Sequence, residues 1–388
     1  MKLLVISHKE TWADPASPCG YSTVGGFPFQ MAAISELFDQ TQLLLLQRAG
    51  PPPAGLRPLA GHNLLVQVLP EPAGANLSRK LALLIWLPRY FSAIWNAISQ
   101  ADAVHAPVPG DIGLVGILLT LAQGKPLFVR HCGTWAKPQS LADRFLFWLL
   151  ERIAGGSNVV LATGGSEFRP SAVNRNIVWI FSTSLTREEL NRIHPAQVWA
   201  PGSPLRLITV GRLAVAKNIQ SILLALPAIR QVYPDVHLDI VGDGDYRWVL
   251  EELALQLRVN DSVTFYGNLE HKDVLAALSR SHLFVFPSLR EGFPKAVLEA
   301  LACGLPVIAT RTSAIPQLLK PGCGLLLDVP DTQSLQKAIL SLISTPLTMA
   351  QMGLLAQCSV QGYTLEAWRD TIAAHLHVAW NRNLREHT

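Results

Sequence analysis

The chain is predicted to be an α/β protein of two domains, each built on a parallel sheet. Two observations predict this. Its 388 residues exceed one ordinary core and suit two domains of roughly 150–200 residues. Through the second half, short apolar runs alternate with helical stretches, the pattern of successive β–α–β units. A continuous run such as Leu283-Phe284-Val285-Phe286 suits a strand covered on both faces.

The second half is the more legible. Strands are expected over 205–210, 236–241, 263–266, 283–286, 307–310 and 325–329. Helices are expected over 218–232 (with a bend at Pro227), 246–257, 272–279, 294–302 and 332–342. Pro294 opens one of these helices and Gly304 follows its end, the usual placement of both residues. In the first half, short apolar runs at 3–7, 43–46, 66–69, 103–105, 127–130 and 159–162 read as strands. Residues 20–26 form a glycine-bearing loop, 30–38 a helix, and Gly50-Pro51-Pro52-Pro53 a breaker. The Pro-rich stretch with Pro195, Pro201, Gly202 and Pro204 marks the expected boundary. The domains are then 1–198 and 199–360, with 361–388 a helical segment packing back toward the first domain.

Composition narrows the class. Apolar residues make up 49% and charged residues 15%, enough to fill cores and too apolar for disorder. A net charge of +4 and a pI near 8.8 fit an anionic small ligand or an anionic membrane surface. No basic cluster interleaved with aromatics points to nucleic acid. Five cysteines without CxxC spacing predict neither a disulfide framework nor a zinc site, and a reducing compartment. The start, Met1 to Ser7, is too short an apolar run for a signal peptide and reads as a first strand. The run 81–98 is interrupted by Pro88 and Arg89, and 112–122 is short. Neither is expected to span a bilayer. Lys80, Trp86, Arg89, Tyr90 and Trp95 mix basic and aromatic residues as interfacial helices do; core packing accounts for the same apolar residues.

In parallel sheets ligands gather at the carboxyl ends of strands. Val210-Gly211-Arg212-Leu213 and Lys217-Asn218 leave one such end. Arg212 offers a planar fork and Lys217 a point charge, together suited to a diphosphate; a solvated loop is the equal alternative. Pro287-Ser288-Leu289-Arg290-Glu291-Gly292-Phe293-Pro294 leaves another, followed by Glu299 within the next helix. The helix start favours a phosphate, Gly292 permits close backbone approach, and the two carboxylates can accept hydrogen bonds from sugar hydroxyls. The bland alternative makes Glu291 a helix-entry acid and Glu299 a surface residue, which apolar Val297, Leu298, Ala300 and Leu301 disfavour.

The stretch from Phe284 through Arg290-Glu291-Gly292-Phe293-Pro294 and Glu299 to Thr310 resembles the signature of glycosyltransferase family 4. So do Val210-Gly211-Arg212-Leu213 with Lys217-Asn218, and Ile240-Val241-Gly242-Asp243-Gly244. The resemblance covers roughly residues 205–345 with motif order and spacing kept. It implies the GT-B fold, two Rossmann-like domains with parallel sheets facing a central cleft. It implies a retaining glycosyltransferase that needs no metal or other cofactor. On it, Gly211, Arg212 and Lys217 would hold the donor diphosphate, aided by the backbone amides following Gly292, and Phe293 and Pro294 would belong to the same donor-binding stretch. Glu291 would contact the donor sugar and Glu299 the ribose. Leu269, in Tyr266-Gly267-Asn268-Leu269, would lie near the nucleobase.

In the first domain, Gly25-Gly26 would let the backbone approach the donor phosphates, or is simply a flexible loop. His131 resembles a cleft histidine that contacts the donor sugar or orients the acceptor; a structural histidine is the alternative. His105 and Asp111 sit in another strand-end loop suited to acceptor binding. Asp243-Gly244-Asp245 reads as a backbone turn rather than a metal site. Gln317 stands where the family usually carries glutamate. The expected activity is hexosyl transfer from a UDP- or GDP-sugar to a saccharide or lipid-linked acceptor in glycoconjugate biosynthesis. A nucleotide-sugar epimerase or an inactive binding subunit is the alternative. The expected location is cytoplasmic, with peripheral contact at the inner face of the cytoplasmic membrane.

Overall fold

A computed structural model describes residues 1–53, 55–74, 76–135, 140–381 and 384. The chain divides into two compact units. The first comprises Met1–Thr163, Phe168–Ile180 and Leu365–Thr388; the second comprises Gly164–Glu167 and Phe181–Thr364.

In the first unit the elements run β1 (Lys2–Ala13), β2 (Tyr21–Val24), α1 (Phe27–Ser35), β3 (Gln40–Gln47), β4 (Leu56–Pro58), β5 (Leu64–Pro70), α2 (Asn76–Gln100), β6 (Ala103–Val108), α3 (Asp111–Ala122), β7 (Leu127–His131), α4 (Leu141–Ile153), β8 (Asn158–Thr163) and β9 (Ile177–Ile180). Seven strands pair in parallel in the order β5-β3-β1-β6-β7-β8-β9, while β2 and β4 extend β1 antiparallel. Alternate residues of these strands, such as Leu4, Ile6, Val104 and Val129, bury against α2, α3 and α4.

The second unit contains α5 (Arg187–Arg192), β10 (Leu205–Val210), α6 (Gln220–Val232), β11 (Val236–Val241), α7 (Arg247–Gln256), β12 (Val263–Gly267), α8 (His271–Ser279), β13 (Leu283–Phe286), α9 (Lys295–Ala302), β14 (Val307–Thr310), α10 (Ile315–Leu319), β15 (Gly324–Leu327), α11 (Thr332–Ile343) and α12 (Pro346–Ser359). Its six strands are all parallel, in the order β12-β11-β10-β13-β14-β15. One face is covered by α6, α7 and α11, the other by α8, α9, α10 and α12. Coverage on both faces explains why β13 and β14 are apolar at nearly every position. Left-handed Gly304 (φ 72°) ends the turn after α9.

The last helix, α13 (Leu365–Trp380), belongs to the first unit. Its Trp380 ring lies 6.3 Å from Phe38 and donates to Ser157 O at 2.9 Å. Its Trp368 lies beneath the Arg130 guanidinium, 4.8 Å away, and Arg369 pairs with Glu36. Of the segment 361–388, residues 382, 383 and 385–388 lie outside the described residues.

Two expectations differ from what is observed. The Pro-rich stretch is inside the second unit, not between the units. Leu185, Leu190, Ile193 and Ala196 already pack into its core, Ala196 N donates to Cys303 O at 2.7 Å, and Trp199 packs edge-on to Tyr233. The division therefore falls between Ile180 and Phe181. The run 81–98 is not broken at Pro88: α2 is one helix of 25 residues with Pro88 inside it. The carbonyl that Pro88 leaves unpaired belongs to Leu84, and both residues are exposed, so water can satisfy it. By length and composition the 23-residue stretch Ser78–Gln100 is long and apolar enough to cross a membrane.

Candidate functional site

In the second unit the strand order reverses between β10 and β13: β11 and β12 lie on one side, β14 and β15 on the other. The two loops leaving these strands meet at the place where such sheets receive ligands. Lys217 comes from the first loop and Glu291 from the second. Lys217 Nζ donates to Glu291 Oε1 at 2.5 Å and sits 5.3 Å above the Phe286 ring centre. Glu291 is 8% exposed. Arg212 is exposed and forms no ion pair with a described residue.

Both loops are braced by backbone. Gly211 N donates to Val241 O at 2.9 Å and Leu213 N to Asp243 O at 3.0 Å. The Gly242-Asp243-Gly244 turn thus supports the Arg212 loop, and its glycines are steric necessities. A Cβ on Gly242 (φ 126°) would lie 2.0 Å from Gly211 O, and one on Gly244 2.3 Å from Leu213 O. Asp243 accepts from Gly244 N at 2.8 Å and lies 3.5 Å from Arg247, as expected of a turn. Asn218 adopts the left-handed conformation (φ 53°) and donates to Pro330 O at 2.9 Å, ending the short helical turn that carries Lys217. Leu289 N donates to Ala216 O at 2.8 Å, tying the two loops together. Thr310 donates to Ser288 O and Ser313 to Gly292 O.

Pro294 takes the cap position and α9 begins at Lys295. The amides of Lys295 and Val297 donate to Phe293 O and Pro294 O, both at 3.0 Å. This engages two of the donors expected to face a phosphate, because the tight entry turn closes on itself. Pro294, lacking an N–H, presents none. The Phe293 ring packs 6.3 Å from Phe181 and 6.3 Å from Tyr363.

Glu299 is 9% exposed, and burial pushes its carboxyl above the ordinary range. Around it stand three residues that no local motif groups with it. Ser184 Oγ lies 3.5 Å from its Oε1. His271 Nδ1 lies 3.7 Å away, and His271 Nε2 lies 3.7 Å from Glu189. Ser184 is 115 positions from Glu299, so only the fold brings them together. Leu269 is partly buried just beyond β12, after left-handed Gly267. Gln317, with its amide turned to satisfy its neighbours, accepts from Glu167 N at 2.9 Å; it is a strut for that segment.

The first unit places its expected residues at strand ends of its own sheet. Gly25 is left-handed (φ 80°) with open space where a Cβ would go; Gly26 caps α1. His131 ends β7 and is 3% exposed, its ring packed edge-on to Trp135 at 5.0 Å and Phe147 at 5.4 Å. Burial lowers its pKa to about 4, so the imidazole is neutral at physiological pH. His105 is not in a binding loop. It is fully buried on β6, stacked on Phe128 at 4.1 Å and hydrogen-bonded to Phe128 O at 2.9 Å, and burial lowers its pKa to about 3. The β6 run is longer than expected and encloses it. Asp111 starts α3 and pairs with Arg79 at 2.6 Å.

Residues 192–357 match the model of the glycosyl transferases group 1 family. The match lies within the second unit and spans less than half of the chain. Among curated relatives, one component of human phosphatidylinositol N-acetylglucosaminyltransferase is 38% identical over 144 residues, 36% of this chain and 30% of that protein. A GDP-mannose-dependent phosphatidylinositol monomannoside mannosyltransferase of Corynebacterium glutamicum is 32% identical over 157 residues, 39% of this chain and 41% of that protein. The chain spans less than half the length of these first relatives. A Mycobacterium tuberculosis GDP-mannose-dependent phosphatidylinositol dimannoside mannosyltransferase matches more broadly, 26% identical over 74% of this chain and 81% of its own. Among solved structures, Anabaena HepE in complex with UDP and glucose superposes with a TM-score of 0.70 at 18% identity, covering 97% of this chain and 98% of that one. Sucrose-phosphate synthase from Thermosynechococcus elongatus superposes with a TM-score of 0.70 at 18% identity, covering 98% and 99%. The chain as a whole therefore has the GT-B fold, built of two Rossmann-like units.

Proposed function

We propose that the protein is a retaining glycosyltransferase that moves a hexosyl group from a UDP- or GDP-sugar to a saccharide or lipid-linked acceptor. The observation that carries this reading is the Lys217–Glu291 pair at the reversal of strand order. A cation and an acid meet there, each of which a sugar diphosphate can satisfy separately. On donor entry Lys217 turns to the diphosphate with Arg212, and Glu291 accepts from sugar hydroxyls. Glu299, held beside Ser184 and His271, accepts from the ribose.

The chemistry follows from charge. Breaking the bond between the anomeric carbon and the phosphate oxygen leaves negative charge on the diphosphate and positive charge on the sugar. Fixed cations at the leaving group stabilise that separation. The acceptor hydroxyl attacks the same face, its oxygen bonds to the anomeric carbon, and its proton passes to the departing phosphate oxygen. The side-chain cations supply the neutralisation, so the reading includes metal independence. It also includes a cytoplasmic site of action, for which the five free cysteines suit a reducing compartment. The naming of relatives as mannosyl- and N-acetylglucosaminyltransferases acting on phosphatidylinositol-type acceptors supports a lipid-linked acceptor.

The test is a thermal-shift screen with UDP, GDP and a panel of their sugars, followed by turnover of the stabilising donor in the presence of a chelator. Proton NMR of the product's anomeric configuration reads retention. An inverted product overturns the retaining mechanism; no stabilisation by any nucleotide-sugar overturns the whole reading.

A further inference from the structure

The outward side of α2 has no place in the chemistry above. Four of its large apolar side chains are exposed: Leu81 (59%), Leu84 (71%), Ile85 (79%) and Phe91 (41%). With exposed Pro88 they recur at helical spacing and form one stripe. Exposed Lys80 and Arg89 flank that stripe on either side, and α2 contains no acidic residue. The neighbouring Arg79 is already neutralised by Glu71 at 2.8 Å and Asp111 at 2.6 Å. The opposite side of α2 is anchored, with Trp86, Ile94, Ala97 and Ile98 in the sheet core and Trp86 Nε1 donating to Pro70 O at 2.7 Å. Trp86 is thus a core residue rather than an interfacial one.

The helix α4 carries a second apolar stripe, and its two acids are engaged elsewhere: Asp143 in the cap with Ser140, and Glu151 accepting from Ser171 at 2.6 Å. Leu141, Phe145 and Trp148 are exposed, Phe145 and Trp148 stack at 5.9 Å, and Arg144 and Arg152 are exposed beside them. Its buried residues share one core with those of α2, so both helices cover the same side of the sheet. In a parallel sheet the crossover helices start at the carboxyl ends of strands. The exposed stripes therefore occupy the end of the helix layer nearest the edge at which such sheets receive ligands.

We infer that the outward faces of α2 and α4 seat the first unit on an anionic bilayer, with both helices lying in the headgroup–acyl boundary. An apolar stripe bordered by cations and free of acids matches that boundary in both polarity and charge. The composition of Ser78–Gln100 is that of a bilayer segment, and only 22% of that window is buried. It lies in the plane because its other face is committed to the sheet. A spanning helix would have to withdraw Trp86, Ile94 and Ile98 from the core. Docking in this orientation brings the ligand edge of the first unit to the surface where a lipid-linked acceptor resides.

The experiment is flotation of the full chain with vesicles of phosphatidylcholine, with and without phosphatidylglycerol, in the absence of any sugar donor. The outcome is therefore read separately from that of the donor site. The chain floats with the anionic vesicles and poorly with the neutral ones. The double substitution Leu84→Glu and Ile85→Glu lowers partitioning roughly tenfold or more. Lys80→Glu with Arg89→Glu removes the preference for anionic lipid. Unchanged melting temperatures of both variants exclude unfolding as the cause. Failure to float, or flotation unaffected by Leu84→Glu with Ile85→Glu, overturns the inference. Retention of the bound chain after alkaline carbonate overturns it in favour of a spanning helix. A dimer in lipid-free buffer that the same double variant dissociates overturns it in favour of a second copy of this chain.

Discussion

The strand ends of the two units handle charge in opposite ways. In the first unit, Arg79 lies between Glu71 and Asp111, and Arg48 pairs with Glu10 at 2.5 Å. Its strand-end histidine, His131, is buried and neutral. Arg130, beside His131 on β7, has only the Trp368 ring against its guanidinium among the described residues. In the second unit, Arg212 is exposed without an ion-pair partner among the described residues, and Lys217 holds one acid in a geometry a ligand can exchange. Local charge balance thus distinguishes the two edges: ion pairs occupy Arg48 and Arg79 at one, and an exposed arginine stands at the other. Half-buried ion pairs contribute little net stability, so the first unit's network mainly fixes geometry.

The largest effect that sharpens this contrast comes from Lys217→Ala. Removing a cation from the leaving group lowers kcat/KM by roughly 100-fold or more and abolishes donor binding by titration calorimetry, with the circular dichroism spectrum unchanged. Unaltered donor affinity breaks the comparison at its centre.

The two units also differ in what their glycines do. Gly242→Ala places a Cβ against Gly211 O at 2.0 Å and shifts the Arg212 loop. We expect a loss of about 3 kcal/mol in denaturant unfolding together with weaker donor binding. Gly25→Ala meets open space and carries only the left-handed backbone cost, about 1–2 kcal/mol. Equal costs for the two would show that packing does not distinguish them.

His131 predicts a pH dependence confined to the first unit. Its folded pKa of about 4 lies below the ordinary 6.5. The unfolded chain therefore binds more protons between these values, and stability falls as pH drops from 6.5 toward 4. The shift is equivalent to about 3 kcal/mol. Chemical denaturation of His131→Gln should show a correspondingly flatter dependence over that window. Parallel curves for parent and variant would assign the acid sensitivity elsewhere.

The smallest effect separates function from stability. Burial raises the Glu299 pKa, so the folded state favours the protonated acid and is penalised as pH rises past the ordinary carboxylate range. Glu299→Gln removes that penalty. The variant is expected to melt no lower than the parent at neutral pH, while its nucleotide affinity falls roughly tenfold through loss of a charged acceptor.

Legibility in the sequence tracked how each unit buries its strands. Strands β10, β11, β13 and β14 match the expected ranges, because apolar runs covered on both faces leave no ambiguity of period. The strands β2, β4 and β9 differ from the expected pattern, β2 lying in the stretch expected to be a loop: each is short, and Pro58 lies within β4. The positions of Arg212, Lys217, Glu291 and Glu299 are readable because each sits just past a strand or within the following helix. Ser184, Glu189 and His271 were not, since no local pattern links positions so far apart. The misreading of His105 has the same origin, because a histidine at a strand end looks alike whether the strand stops there or continues three residues further.

The amino-acid sequence by itself determined the alternation of strands and helices, the glycines that must stay glycine, and which loops carry cations and acids. These follow from backbone sterics and periodicity, which act over a few residues. Only the tertiary structure decided that Lys217 meets Glu291, that His271 stands beside Glu299, and that one side of α2 is core while the other faces outward. Those outcomes depend on strand order and on which faces find partners, and chain neighbours carry no information about either.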